Sequence, residues 1–269
     1  AIAPKGLEYL NEAVRLSRQS GWPHRSEDWQ LALALSEGFV AVAGSGDVVG
    51  TILMTPFGAD CATINMVIVD EGMRGRGLGR RLMEAVMRLV GNRPLRLVAT
   101  AEGLPLYERL GFQETGTIVQ HQGVAGSIAA PDNTRAATAD DLQAIIDLDR
   151  QAYGADRANL MRKLAEIGEY AVVRRDGLVS AFAAIRPFGR GEVIGPVVAP
   201  DLNDAIALVS HFISRRNGAF LRVDTGAGTN LAPWLEQHGL GHVGGGIAMA
   251  RPVASPPAAP TVTTFALAN

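Results

Sequence analysis

The stretch Val67–Val90, VIVDEGMRGRGLGRRLMEAVMRLV, decides how the rest of the chain is read. Residues Arg74 to Arg81 hold three glycines and four arginines between an apolar run and an amphipathic segment. The run Ala62–Val69 predicts a strand, and the apolar spacing of Leu78–Val90 predicts a helix. The turn between them could be an RG-rich nucleic-acid segment, a phosphate-binding turn or the basic start of a helix. Glycine lets a backbone turn sharply and approach a ligand closely. Successive amides and the positive end of the helix dipole would then face one point. Arg74, Arg76, Arg80 and Arg81 add forked donors suited to phosphate oxygens. This combination suits a diphosphate. A Walker loop would need lysine followed by Ser or Thr, and a dinucleotide fingerprint would space its glycines G-x-G-x-x-G. Here Gly75, Gly77 and Gly79 give G-x-G-x-G after two hairpin-like strands. An RG-rich RNA segment would be repeated and disordered, whereas periodic elements flank this one.

The whole-chain numbers fit a folded protein of two domains. The 269 residues are 47% hydrophobic and 19% charged, with 31 glycines and a net charge of −2. That charge excludes a global footprint for nucleic acid or an anionic membrane, so any cationic site is local. The lone cysteine, Cys61, forbids an internal disulfide and fits a reducing compartment. The N-terminal residues do not read as a signal peptide, and no apolar run approaches ~18 residues, so a cytoplasmic location is expected. His211, His238 and His242 show no ligand-like clustering, and no metal is expected.

The chain also repeats itself. FVAVAGSGDVVGTILMTPFG (Phe39–Gly58) resembles YAVVRRDGLVSAFAAIRPFG (Tyr170–Gly189), about 131 residues further on. Each is a strand, a tight turn, a second strand and a closing Pro-Phe-Gly. Helices are expected at Gly6–Gln19 and at Ser26–Leu35 with Ser26 as N-cap. Strands are expected at Gly38–Ala43, Val48–Pro56 and Leu95–Thr100, a helix at Leu104–Leu110, and strands flanking Gly116 and His121. Duplication of one α/β unit divides the chain into residues 1–126, residues 127–252 and a Pro/Ala-rich tail, 253–269. The copies differ at the turn: copy two has PDLND in place of DEGMRGRGLGRR, and leucine in WLEQHGL where LYERLGF has Tyr107.

Val67-x-Val69 followed by Arg74-Gly75-Arg76-Gly77-Leu78-Gly79 resembles the acyl-CoA signature of the GNAT superfamily of N-acetyltransferases. LPLYERLGF (Leu104–Phe112) resembles that family's second signature, and the order and spacing of the two agree. The second copy resembles a degenerate GNAT domain, as in tandem members with an N-terminal catalytic domain. The resemblance implies an α/β (α+β) fold of two GNAT-like domains. Each would be a twisted, mostly antiparallel sheet flanked by helices and splayed between its fourth and fifth strands.

The resemblance also implies roles. Amides from Arg74 to Arg80, Leu78 included, would hold the pyrophosphate of acetyl-CoA. Met66, Val67, Ile68 and Val69 would pair with the pantetheine arm, the amide of Val67 polarising the thioester carbonyl. Tyr107 would protonate the departing thiolate, or merely pack its ring. Thr100 stands where many members carry asparagine. The strand position that often carries a glutamate base falls near Thr63, so His24, Glu27, Asp28 or a water relay remain for that role. Glu27 and Asp28 equally read as a helix start. Trp22, His24 and Asp28 are candidates for the acceptor pocket. The expected activity is transfer of an acetyl group to a primary amine, of a small molecule rather than a protein. A non-catalytic acyl-CoA-binding module is the alternative. No nucleic-acid or membrane partner is expected, and a homodimer is left open.

Overall fold

The structure is a computed structural model that describes residues 1–253. The expected tail lies outside the described residues, save for Val253. The described chain divides into two compact units, Ala1–Glu114 with residues 249–253, and Thr115–Ala248.

The first unit comprises β1 (Ile2–Pro4), α1 (Leu10–Gln19), α2 (Ser26–Leu35), β2 (Glu37–Val42), β3 (Val48–Phe57), β4 (Cys61–Val69), α3 (Leu78–Val90), β5 (Leu95–Ala99) and α4 (Leu104–Arg109). β1 through β4 pair antiparallel in sequence order, and β5 joins β4 in parallel. The β2–β3 hairpin turns through Ser45-Gly46-Asp47, with Gly46 at φ 95°. On one face of the sheet, α1 and α2 bury Val14, Leu16 and Trp29 against Leu53, Met66 and Ile68. On the other, α3 buries Leu82, Met83 and Val86. Each such side chain contributes about 1.5–3 kcal/mol, which anchors α3 and the turn before it. Cys61 is a fully buried small residue of this core.

Two features of β4 shape the site. Its pairing with β5 covers only Ala62↔Leu95 and Thr63↔Arg96, after which the strands part. Its register against β3 passes from Leu53↔Asn65 to Thr51↔Ile68, so Met66 and Val67 together oppose Ile52. This is a β-bulge, and it re-aims the residue that follows. Met66 takes φ 52°, an unusual conformation for a residue with a side chain. Two anchors hold it there: its side chain is buried, and its carbonyl accepts a 2.8 Å hydrogen bond from the buried Thr51 hydroxyl.

The second unit comprises most of β6 (Gln113–Val124), then β7 (Thr134–Ala136), α5 (Leu142–Tyr153), α6 (Ala158–Ile167), β8 (Glu169–Arg175), β9 (Leu178–Phe188), β10 (Gly191–Val198), α7 (Leu202–Ile213), β11 (Phe220–Gly226), α8 (Ala232–Gln237) and β12 (Gly241–Arg251) up to Ala248. Its strands run β12-β6-β11-β10-β9-β8-β7, and only β10 and β11 pair in parallel where register is given. The repeat extends to backbone detail. Phe112 N–H bonds to Tyr107 C=O at 3.0 Å after Gly111 at φ 83°. Likewise Leu240 N–H bonds to Leu235 C=O at 3.0 Å after Gly239 at φ 90°.

Several expectations change. Arg25, not Ser26, is the N-cap of α2, because the Asp28 carboxylate accepts the Arg25 amide at 2.9 Å. The strands expected on either side of Gly116 and His121 are one strand, β6. β12 escapes a propensity reading because glycine weakens the strand signal. Gly245 is required there, since a Cβ would fall 1.9 Å from the Ile118 carbonyl oxygen. On α5, Asp149 is buried, and Arg157, also buried, pairs with it at 2.5 Å. Among the described residues no helix is long and apolar enough to cross a membrane.

Burial also makes the second unit sensitive to pH. His121 is 1% exposed, with Nε2 3.5 Å from Glu236 Oε1 and its ring 5.5 Å from that of His242. Burial lowers its pKa, outweighing the pull of Glu236; His242 lowers it further and Asp224 raises it. A histidine whose pKa is lower folded than unfolded contributes stability above about 6.5, lost as pH falls through the folded value. Thermal melts from pH 8 to 5 are expected to show falling stability, with a shallower fall in His121→Gln. Equal slopes would remove His121 from the account.

Candidate active site

A cleft of about 940 Å³ opens where β4 and β5 part. That lies within the ~300–1,000 Å³ range of small-molecule sites. Val67, Ile68 and Val69 line one wall, Thr100 through Gly103 the other, and the start of α3 the far end.

The arginine-glycine turn is built as a cradle. Asp70 Oδ1 accepts the Gly72 amide at 3.0 Å and fixes a short 3-10 turn over Glu71–Met73. The chain then passes through Gly75 at φ 75° and Gly77 at φ 72°, with Gly77 capping α3. A Cβ at either glycine would meet no atom within 4 Å, so backbone conformation, not crowding, requires glycine. At Gly79 a Cβ would reach Leu106 at 3.4 Å and narrow the cleft. The first amides of α3 have no partner within the helix and carry the positive end of its dipole, and Gly77, Leu78 and Gly79 line the cleft.

Arg74, Gly75, Gly77, Leu78, Gly79 and Arg80 all line the cleft. Arg80 is also held by Glu84 at 2.8 Å. Arg76 is exposed and stands outside the lining, as does Met66, whose side chain is in the core. Thr100 lines the cleft, and its Oγ1 accepts the Gly103 amide at 3.3 Å, helping to start α4.

Tyr107 is 7% exposed and lines the cleft, its ring edge-on to Phe112 with centroids 6.1 Å apart. Burial pushes its phenol up to about 12, so the hydroxyl stays protonated at ordinary pH. Gly103 makes room for the ring, since a Cβ there would lie 2.9 Å from Tyr107 Cε2.

The acceptor-side candidates separate. Trp22 lines the cleft beside Gln19 and Ser20, at the end of α1. His24 is buried edge-on to Trp22, ring centroids 5.6 Å apart, and is not among the lining residues. Asp28 is also buried outside the lining, its carboxylate taking Arg25 Nε and Nη2 at 3.1 and 3.0 Å. Trp29 is core, its indole N–H donated to Ser17. Sequence reasoning missed Glu71, Glu102 and Arg109, which line the cleft. Glu71 and Arg109 stand inside the quoted stretches but at no signature position, and Glu102 lies outside them, so each reads as a single solvated charge in a loop or last helical turn.

The corresponding junction of the second unit is closed to an anion. α7 begins at Asp201, whose Oδ1 accepts the Asp204 amide at 2.9 Å. Asp204 in turn takes Arg175 at 2.5 and 2.8 Å. Carboxylates occupy the place where a phosphate would sit. Leu235, in the position of Tyr107, is fully buried in the apolar core. Asp224 has a local partner in Arg222, and His121 lies 3.5 Å from Glu236.

Residues 35–114 match an acetyltransferase (GNAT) domain family, and residues 145–261 match a second family of the same description. The chain is a tandem GNAT acetyltransferase. This tandem GNAT chain is 29% identical over 227 residues to the uncharacterized N-acetyltransferase YitH of Bacillus subtilis, covering 81% of this chain and 79% of that one. It is 27% identical over 188 residues to the holothin acyltransferase of a Pseudoalteromonas species, covering 64% and 62%. A solved tandem GNAT protein from the clavulanic acid biosynthesis pathway shares the fold, with a TM-score of 0.67 at 15% identity over 93% of this chain and 97% of that one. A GCN5-related N-acetyltransferase from Sphaerobacter thermophilus gives 0.63 at 18% identity over 93% and 94%. The tandem GNAT chain is thus an acyltransferase, its open cradle in the first unit.

Proposed function

We propose that the chain transfers an acetyl group from acetyl-CoA to the primary amine of a small molecule, at one site in the first unit. The observation that carries this reading is the open cradle of Gly75, Gly77 and the α3 N-terminus, continuous with the wedge between β4 and β5. A diphosphate fits that cradle by charge and by free space, and the wedge offers strand edge to an extended arm. Acetyl-CoA would supply an activated acetyl thioester.

The amides at the start of α3, with Arg74 and Arg80, would hold the diphosphate. The Val67 amide, turned by the bulge at Met66, would donate to the thioester carbonyl oxygen as negative charge develops there. The amine nitrogen forms the new bond to the acetyl carbon, the carbon–sulfur bond breaks, Tyr107 donates its proton toward the leaving sulfur, and the proton shed by the acylated nitrogen returns to the Tyr107 oxygen through water. Because Asp28 is engaged by Arg25 and His24 lies outside the cleft lining, the amine would lose its proton to water. A small acceptor accords with the holothin acyltransferase among the relatives.

The test is calorimetry with coenzyme A, then thiol release from acetyl-CoA across a panel of amines. One coenzyme bound per chain, with amine-dependent thiol release, is the expected result. Binding of two coenzymes per chain, or none, would overturn the single-site reading. Binding without turnover across a broad panel would overturn the transfer.

A further inference from the structure

We propose that Glu102 is a resident counter-ion that holds Arg74 across the mouth of the cleft and yields it to the incoming diphosphate, so that it weakens coenzyme binding and speeds product release. This rests on the reading of the cleft as a coenzyme A site. β4 and β5 part after Thr63↔Arg96, and the loops that follow them form the two lips of the opening. Arg74 stands on one lip and Glu102 on the other, with Nη1 and Oε2 3.6 Å apart. The Arg74 Nε also points to the Val69 carbonyl, at 3.4 Å, which sets the exposed guanidinium at the end of β4.

The pair is built to exchange. The Arg74 side chain is 45% exposed and that of Glu102 is 81% exposed. An exposed pair of this kind shifts an equilibrium by no more than about fivefold. A diphosphate with two or more charges and the α3 dipole behind it outcompetes one carboxylate for the same guanidinium. When the coenzyme product leaves, Glu102 takes Arg74 back, and re-forming the pair favours departure. A carboxylate in a site for a polyanion lowers affinity, and multiple-turnover catalysis benefits where product release is slow.

The test is a double-mutant cycle on the full chain, read by coenzyme A titration and stopped-flow dissociation. Glu102→Gln is expected to tighten binding by about two- to fivefold, the range an exposed pair allows, mostly through slower dissociation. Arg74→Gln is expected to weaken binding, and Glu102→Gln added to it should give no further tightening. If Glu102→Gln leaves affinity unchanged or lowers it, the proposal fails. If the gain persists in full without Arg74, the effect is general charge repulsion and the exchange with Arg74 is refuted. A wild-type chain that binds no coenzyme A overturns the underlying reading and this proposal with it. Normal wild-type binding with an inert Glu102→Gln overturns this one alone.

Discussion

Gly77→Glu is expected to weaken coenzyme A binding by on the order of 100-fold and abolish its protection of the chain against heating. Gly77 sits at φ 72° and ψ 11°, the left-handed region, as the N-cap of α3. A side chain there costs roughly 1–2 kcal/mol, against a typical total stability of about 5–15 kcal/mol. A carboxylate at a helix N-terminus returns about 0.3–1 kcal/mol, so the free protein should melt close to wild type. The Cβ position meets no atom within 4 Å, so the new side chain projects into the open cradle. There its charge faces the position of the diphosphate. Two like charges about 4 Å apart near a surface repel by roughly 4 kcal/mol, less after screening by salt, which is the source of the expected factor. Gly77→Asn separates the two effects, since asparagine tolerates the left-handed region and carries no charge. It should lose less than about tenfold on the same scale. If Gly77→Glu binds coenzyme A within threefold of wild type, the cradle is not the diphosphate site.

Why this turn was legible in sequence, while the acceptor side was not, has a physical basis. A cradle depends on backbone: glycine at positive φ, a strand before it and a helix after it are all written in local residue order. The repeat was legible for the same reason, since Phe39–Gly58 and Tyr170–Gly189 carry their pattern within one hairpin. The acceptor side depends on which side chains long-range packing turns into the cleft. Asp28 and His24 had the right chemistry, but Asp28 is occupied by Arg25 three residues away, and His24 is packed under Trp22. Glu102 had nothing in its surroundings to distinguish it until β4 and β5 were seen to part. β12 was hidden by its glycines, of which Gly245 makes a close approach to Ile118 that exists only between strands distant in sequence. The single span of β6 was hidden by Gly116, where a Cβ would meet nothing within 4 Å.

Tyr107→Phe should lower turnover by about 10- to 100-fold while leaving coenzyme A affinity within about twofold, an acid's contribution at the low end of its usual range. Phenylalanine keeps the ring that packs against Phe112 and fills the space left by Gly103, so binding and fold should persist. What is lost is the hydroxyl. Burial holds that phenol near 12, whereas a departing thiolate has a conjugate thiol near 8.5. Full transfer between them is uphill by about 5 kcal/mol, so the phenol acts on charge developing at sulfur and does not titrate within the working range. Two consequences follow for the pH profile. The rate should rise with pH as the amine loses its proton, and no alkaline fall attributable to Tyr107 should occur below about pH 11. The phenylalanine variant should therefore show a profile of the same shape, displaced downward at every pH. Tyr107→Leu, which removes the ring as well, should in addition weaken coenzyme binding. A phenylalanine variant that turns over normally at all pH values would leave Tyr107 as a packing residue, with water supplying the proton.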